Sequence, residues 1–222
     1  MTMIVRSSRP KQSRLASDAG IAIGPILFII SILGILAAAI AAGSGSFTTG
    51  TATESNRAKA SAIIDIGQNL KIGFDRIIGN GVDFDAVIID PENTSSSYDL
   101  FSPLGGGISA PSVTMAADPS TDKWKFPLVA IKRLGTTDGN RLAVLRVTEG
   151  VCDELNSKVA ALDTGTAMDQ SGDFGDFGSD SLIDDSDNWP ADLQGKPIGC
   201  LHNSNSTSVT AGFYFYQVLA VQ

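Results

Sequence analysis

The sequence predicts an α+β chain: an apolar N-terminal helix and a long amphipathic helix, followed by an antiparallel β-sheet. Three observations carry this. Ile21–Ala42, IAIGPILFIISILGILAAAIAA, holds 22 residues and no charge. Between Glu54 and Ile78, Ile63, Ile66, Leu70, Phe74, Ile77 and Ile78 recur at mostly three- and four-residue steps, the period of one helical face. The final run Gly212–Val221, GFYFYQVLAV, is apolar on both faces apart from Gln217, which predicts a central strand.

The first element is set by length and charge. A helix of 22 residues at roughly 1.5 Å per residue reaches about 33 Å. The hydrocarbon core of a bilayer is about 30 Å, so the length fits one crossing. Residues 1–20 carry Arg6, Arg9, Lys11 and Arg14 against Asp18, a net of +3. With a total of −8, the other residues carry −11. Basic residues before the span and acidic ones after it predict a cytoplasmic N-terminus and an exported head. The acidic balance argues against nucleic acid as a partner. One His in the chain argues against His-based catalysis and His metal sites.

Pro25 suits a helix entry, where its missing N–H costs nothing. Residues 43–50, GSGSFTTG, are rich in Gly and small polar residues and predict a flexible joint or a locally melted helix. Thr51 to Glu54 matches a capping box for the second helix. That helix stops at Gly79-Asn80-Gly81. Its apolar stripe needs a partner, and a sheet from residues 51–222 is the natural one.

Strands are predicted at Phe84–Asp90, Phe126–Arg133 and Arg141–Val147. The last two flank Asp138-Gly139, a hairpin signal. Val151, Leu155, Val159 and Leu162 have helical spacing and predict a short helix over 149–162.

Cys152 and Cys200 are the only cysteines. If both lie outside the cytoplasm, an oxidising compartment favours a bridge; the alternative is two buried thiols. Between them stand Asp163, Asp169, Asp173, Asp176, Asp180, Asp184, Asp185, Asp187 and Asp192, with no Lys or Arg among residues 163–192. Calcium takes several oxygen ligands, so a carboxylate-rich loop is weighed as a calcium site, but no EF-hand spacing occurs; a solvated acidic loop is the favoured expectation and no metal ligand is assigned. Phe174, Phe177 and Trp189 would anchor it. Leu104-Gly-Gly-Gly-Ile108 lacks the Lys of a phosphate loop and is expected to be a flexible turn. Asn93-Thr94-Ser95 and Asn205-Ser206-Thr207 match glycosylation sequons. No cofactor is expected, and no catalytic residue is assigned.

Three readings fit the N-terminal segment: an uncleaved signal anchor, a secretory signal peptide, or a prepilin leader. The signal peptide is supported by Ala39-Ile40-Ala41, an A-x-A match, although the apolar run exceeds the usual h-region. The third reading rests on a resemblance. Leu27–Ala41, LFIISILGILAAAIA, resembles the first half-helix of type IV pilins and type II secretion pseudopilins. Gly34-Ile35-Leu36-Ala37-Ala38 aligns on the family's G-I-L-A-A run. That alignment places Gly20 immediately before the family's cleavage point and makes Ile21 the mature N-terminus.

The resemblance implies removal of leader 1–20 by a prepilin peptidase, with methylation of the Ile21 amine. It implies a span at 21–42, a joint at 43–50, and an extracytoplasmic pilin-like head at 51–222. It implies a structural role, not an enzyme's: a major or minor subunit of a filament. The subunit would first sit in the inner membrane, head outside, and later in a periplasmic or cell-surface fimbrium serving adhesion, secretion or motility. Partners would be other pilin subunits, in a homo- or hetero-polymer, and the membrane. Pro25 stands where the family usually carries Glu, so the assembly contact that Glu makes is absent. Gly34 and the surrounding alanines permit close helix approach. The family also often pins a C-terminal loop with one disulfide, as Cys152 and Cys200 would here. Two rival functions are an exported monomeric binding domain and a membrane-anchored enzyme.

Overall fold

A computed structural model describes residues 23–92, 95–136, 138–163, 165–172, 177, 183, 186–204 and 211–222. The leader, Gly20 and Ile21 lie outside these residues, as do Asn93, Thr94 and 205–207. The chain divides into two compact units, 1–50 and 51–222, and each is described by itself.

Helix α1 is assigned over Ile23–Gly79. In the first unit it contains Gly24–Ala41, long and apolar enough to cross a membrane. The backbone of 43–50, expected as a joint, is helical, and the boundary between the units falls at its end. Thr51 and Glu54 lie inside α1, so they do not form the expected capping box. Glu54 instead accepts from Arg57 at 3.1 Å, one turn on. Helix α1 ends at Gly79, and Gly81 takes a φ of +87°, as the Gly-Asn-Gly stop predicted.

The second unit is built on a five-stranded mixed sheet. Its strands are β1 (Leu128–Val129), β2 (Asn140–Val147), β3 (Ser171–Gly172), β4 (Ile198–Asn203) and β5 (Gly212–Ala220). The order is β1-β2-β5-β4-β3, so β5 is central, as its two-sided apolarity predicted. The β1–β2, β2–β5 and β5–β4 pairings are antiparallel. Among the described strands β3 and β4 run parallel, which corrects the wholly antiparallel expectation.

Two expected strands are cut back. Phe84–Asp90 forms a 3₁₀ turn at Phe84–Ala86 and a single parallel bridge from Ile88 to Asp99. Phe126–Arg133 is reduced to the two residues of β1. Pro127 has no N–H for a ladder. Past it, the Leu128 carbonyl and the Ala130 N–H turn to Ile183 instead.

Both faces of the sheet are covered. On one face, Ala143, Leu145, Val147, Phe215 and Leu219 meet the α1 stripe. The buried α1 positions Ala60, Ile63, Gly67, Leu70, Phe74 and Ile77 stand at alternating steps of three and four, and Gly73 is buried beside Phe74. Ile78 is instead exposed. Fully burying Ile63, Leu70, Phe74 or Ile77 stabilises by about 1.5–3 kcal/mol each. Gly67 sets the approach of helix to strand: a Cβ there would stand 3.0 Å from Phe215 Cζ and 3.3 Å from Gln217 Cβ.

On the other face, Leu142, Val144, Tyr214, Tyr216 and Val218 pack against Phe177, Trp189, Leu193 and Ile131. Phe177 and Trp189 are the anchors that the sequence suggested. Phe174 is not among the described residues.

Helix α2 (Glu149–Leu155) follows β2 directly and continues as a wider π-helical turn, Asn156–Ala160. Val151 and Leu155 are buried as expected. The wider turn then places Asn156 and Ala160 inside instead of Val159 and Leu162.

Candidate functional site

In the first unit, the large side chains of Gly24–Ala41 are all well exposed. Phe28 is 67% accessible, Ile35 71% and Ile40 71%. Helix α1 already includes Pro25 in its first turns. Gly34 faces open space, with nothing within 4 Å of a built Cβ. The only polar side chain of the stretch, Ser31, donates to the Leu27 carbonyl at 2.8 Å and so presents no free donor. The segment therefore offers an uninterrupted apolar surface.

In the second unit, Cys152 and Cys200 form a disulfide with Cα atoms 5.4 Å apart, and both are fully buried. Beside it Asn156 reaches the same strand residue. Its Nδ2 donates to the Cys200 carbonyl at 2.8 Å, and the Cys200 N–H donates to its Oδ1 at 2.8 Å. One side-chain amide thus does for Cys200 what a neighbouring strand would do. Farther along β4, His202 N–H donates to the Gln170 carbonyl and Ser204 N–H to that of Gly172. The outer edge of β4 is occupied at all three points.

Helix α2 is also tied to α1. Arg57 Nε lies 3.4 Å from Glu154 Oε1, and Lys158 Nζ donates to Ser61 Oγ at 2.6 Å. Gly150 leaves room for Asn56, whose Nδ2 would be 2.4 Å from an added Cβ.

The glycine run 105–107 is not a flexible turn. A Cβ on Gly105 would stand 2.2 Å from the Asp99 carbonyl oxygen, and one on Gly106 2.2 Å from that of Leu100. Gly107 has a φ of +69° and lies against the Arg76 guanidinium. Buried Asp99 organises the segment, its Oδ1 accepting from Phe101 N–H at 2.8 Å and its carbonyl accepting from Ser102 and Gly106.

Of the aspartates between 163 and 192, Asp163, Asp169, Asp187 and Asp192 are described. Asp187 pairs with Lys132 at 3.1 Å, and Asp192 accepts from Gln170 at 3.3 Å. Asp173, Asp176, Asp180, Asp184 and Asp185 lie outside the described residues. Among the described residues no three His, Cys, Asp or Glu side chains gather as a metal site.

His202 Nδ1 and Ser171 Oγ are 3.1 Å apart. The two are directly opposite in the β3–β4 register, so the contact is a cross-strand pair. Burial pushes the Tyr216 phenol above its ordinary range, with Trp189 acting weakly the other way. Hydrogen bonds from Ser120, side chain then backbone, hold the Asp118 carboxyl below the ordinary carboxylate value.

Sequence reasoning missed a cleft of about 330 Å³ on this unit. Phe101, Trp124 and Phe126 form its aromatic side, Pro91, Pro111 and Pro119 stiffen its walls, and Ser120, Asp122 and Lys123 also line it. A second cleft of about 380 Å³ lies between Ile66, Asn69 and Leu70 of α1 and the extended segment 108–112. Ala110 and Pro111 line both. The Pro and aromatic residues are scattered along the chain, so no local spacing announces the cleft.

No family model, no curated protein and no solved structure matches this chain.

Proposed function

We propose that the chain is a structural subunit of a type IV pilin-like filament, held first in a membrane and then polymerised through its N-terminal helix. The observation that carries this reading is the exposed apolar surface of Gly24–Ala41. Such a surface needs lipid or other apolar helices around it, and a pilin-like span uses both in turn.

The sheet supports the same reading. A neighbour could otherwise be recruited by strand addition at an edge. Here β1 and β3 are two residues long, and Asn156 fills β4 beside Cys200. Among the described residues no long free strand edge is offered, which favours association by the helix. The role is structural and not enzymatic, with other pilin subunits and the membrane as partners. Leader 1–20 is removed after Gly20, and the bridged head faces an oxidising compartment.

Mass spectrometry of the mature chain, from cells with and without a prepilin peptidase, tests this. The expected N-terminus is Ile21, methylated or not, and it depends on the peptidase. An N-terminus at or near Ala42 would instead establish an exported binding domain. An intact leader in cells that process other prepilins would also end the filament reading.

A further inference from the structure

We infer that the cleft beside Trp124 is a binding site for a small aromatic or branched aliphatic carboxylate, with Lys123 holding the carboxylate. Its volume, about 330 Å³, falls at the lower end of small-ligand sites, and its lining is mainly apolar with a few polar groups, as such sites are.

The walls are preset. Trp124 packs edge-on against Phe215 at 6.0 Å between centroids, and Phe101 against Phe126 at 6.2 Å. Trp124 Nε1 is committed to the Ser112 carbonyl at 3.0 Å, which fixes the indole and ties down the segment bearing Ala110 and Pro111. The opposite wall, 118–122, is a closed turn. Ser120 N–H donates to Asp118 Oδ1 at 3.0 Å, and Asp118 N–H donates to Asp122 Oδ2 at 2.8 Å. Little conformational freedom remains to be lost on binding.

The charges select the ligand. Asp122 is largely buried and already engaged, by Asp118 N–H and by Arg146 at 3.7 Å. Asp118 is satisfied within its own turn. Lys123 is exposed, and among the described residues its ammonium has no partner. The charge left to meet a ligand is therefore positive, next to an aromatic cavity. A ligand with an apolar body and an anionic end complements both. A cationic ligand would find the carboxylate that lines the cleft, Asp122, already taken.

The full chain has two tryptophans, Trp124 at the cleft and Trp189 in the other core. Labelled with 5-fluorotryptophan and held in phospholipid nanodiscs, it gives a cleft signal and an internal control by ¹⁹F NMR. Titration with 3-phenylpropionate should shift the Trp124 resonance saturably and leave Trp189 unmoved. Lys123→Ala should weaken binding about two- to fivefold, the range of an exposed ion pair, and 3-phenylpropanol should bind more weakly by a similar factor. Ala110→Phe, which fills the rim, should abolish the shift while the Trp189 resonance stays native. The inference is overturned if Trp124 shows no saturable shift, if both resonances move together, or if the alcohol binds as tightly as the acid. Persistence of the shift in a folded Ala110→Phe chain would also overturn it.

Discussion

The side-chain amide of Asn156 and the backbone of Cys200 pair through two hydrogen bonds of 2.8 Å, both buried. Replacing Asn156 by Leu keeps the approximate volume and strands two backbone groups. Each buried unsatisfied group costs about 1–3 kcal/mol. Asn156→Leu should therefore lose roughly 2–6 kcal/mol of head stability, read from chemical denaturation followed by circular dichroism. A loss below about 1 kcal/mol would mean that water replaces the amide.

The Cys152–Cys200 bridge closes a 48-residue separation. On the chain-entropy account such a loop is worth about 4 kcal/mol. The double variant Cys152→Ala/Cys200→Ala should lower the denaturation midpoint accordingly. The native chain should resist reduction until denaturant opens it, because both sulfurs are fully buried. Ellman titration over time in reductant checks this.

Gly106→Ala should destabilise the head by about 1–3 kcal/mol, the usual cost of an overpacked site, because the new methyl meets the Leu100 carbonyl and backbone must move. Gly34→Ala should leave head stability unchanged, since that position faces open space. Thermal melts of the two variants separate a packed glycine from a tolerant one.

Ile35→Asp places a carboxylate in the middle of the apolar stretch. A charge at the centre of a span costs about 2.5–3.5 kcal/mol on insertion scales. The variant should shift from the membrane fraction, while the far-UV spectrum of the head stays native. Unchanged membrane association would show that this stretch is not the anchor.

Tyr216 provides a pH test. Its pKa is raised in the folded chain by burial, so the neutral phenol is the form the fold favours. Its stabilising contribution is complete below the unfolded value, about 10, and is lost as pH rises above that towards the folded value. Alkaline titration should show the Tyr216 phenol still neutral above the ordinary tyrosine value, held so by its burial. Tyr216→Phe should flatten the fall in stability above about pH 10.

The sequence made the helical and apolar elements legible because their signals are local. The stripe from Ile63 to Ile77, the stop at Gly79, the two-sided strand Gly212–Ala220 and the cysteine pair all follow from spacing and composition. What it hid depends on partners far along the chain. Nothing near Leu128 indicates that its carbonyl serves Ile183, so β1 looked longer than it is. The cutback of Phe84–Asp90 follows from Asp99, eleven residues after Ile88. Asn156 looked like an ordinary helical residue until Cys200 arrived beside it. Gly105 to Gly107 looked permissive, because glycine signals freedom and close contact in the same letter. The cleft is assembled from several loops and has no signature at any single spacing.

The closed β4 edge has a consequence for life at high density. Chains that share a membrane surface meet their neighbours far more often than chains in dilute solution. A long open strand would template cross-β pairing at every such encounter. Here a single amide stands guard at Cys200, and the terminal strands are too short to nucleate a ladder. With the described strand edges covered, folded chains can meet without exchanging strands, and that protection is shared between one asparagine and the short β3 segment.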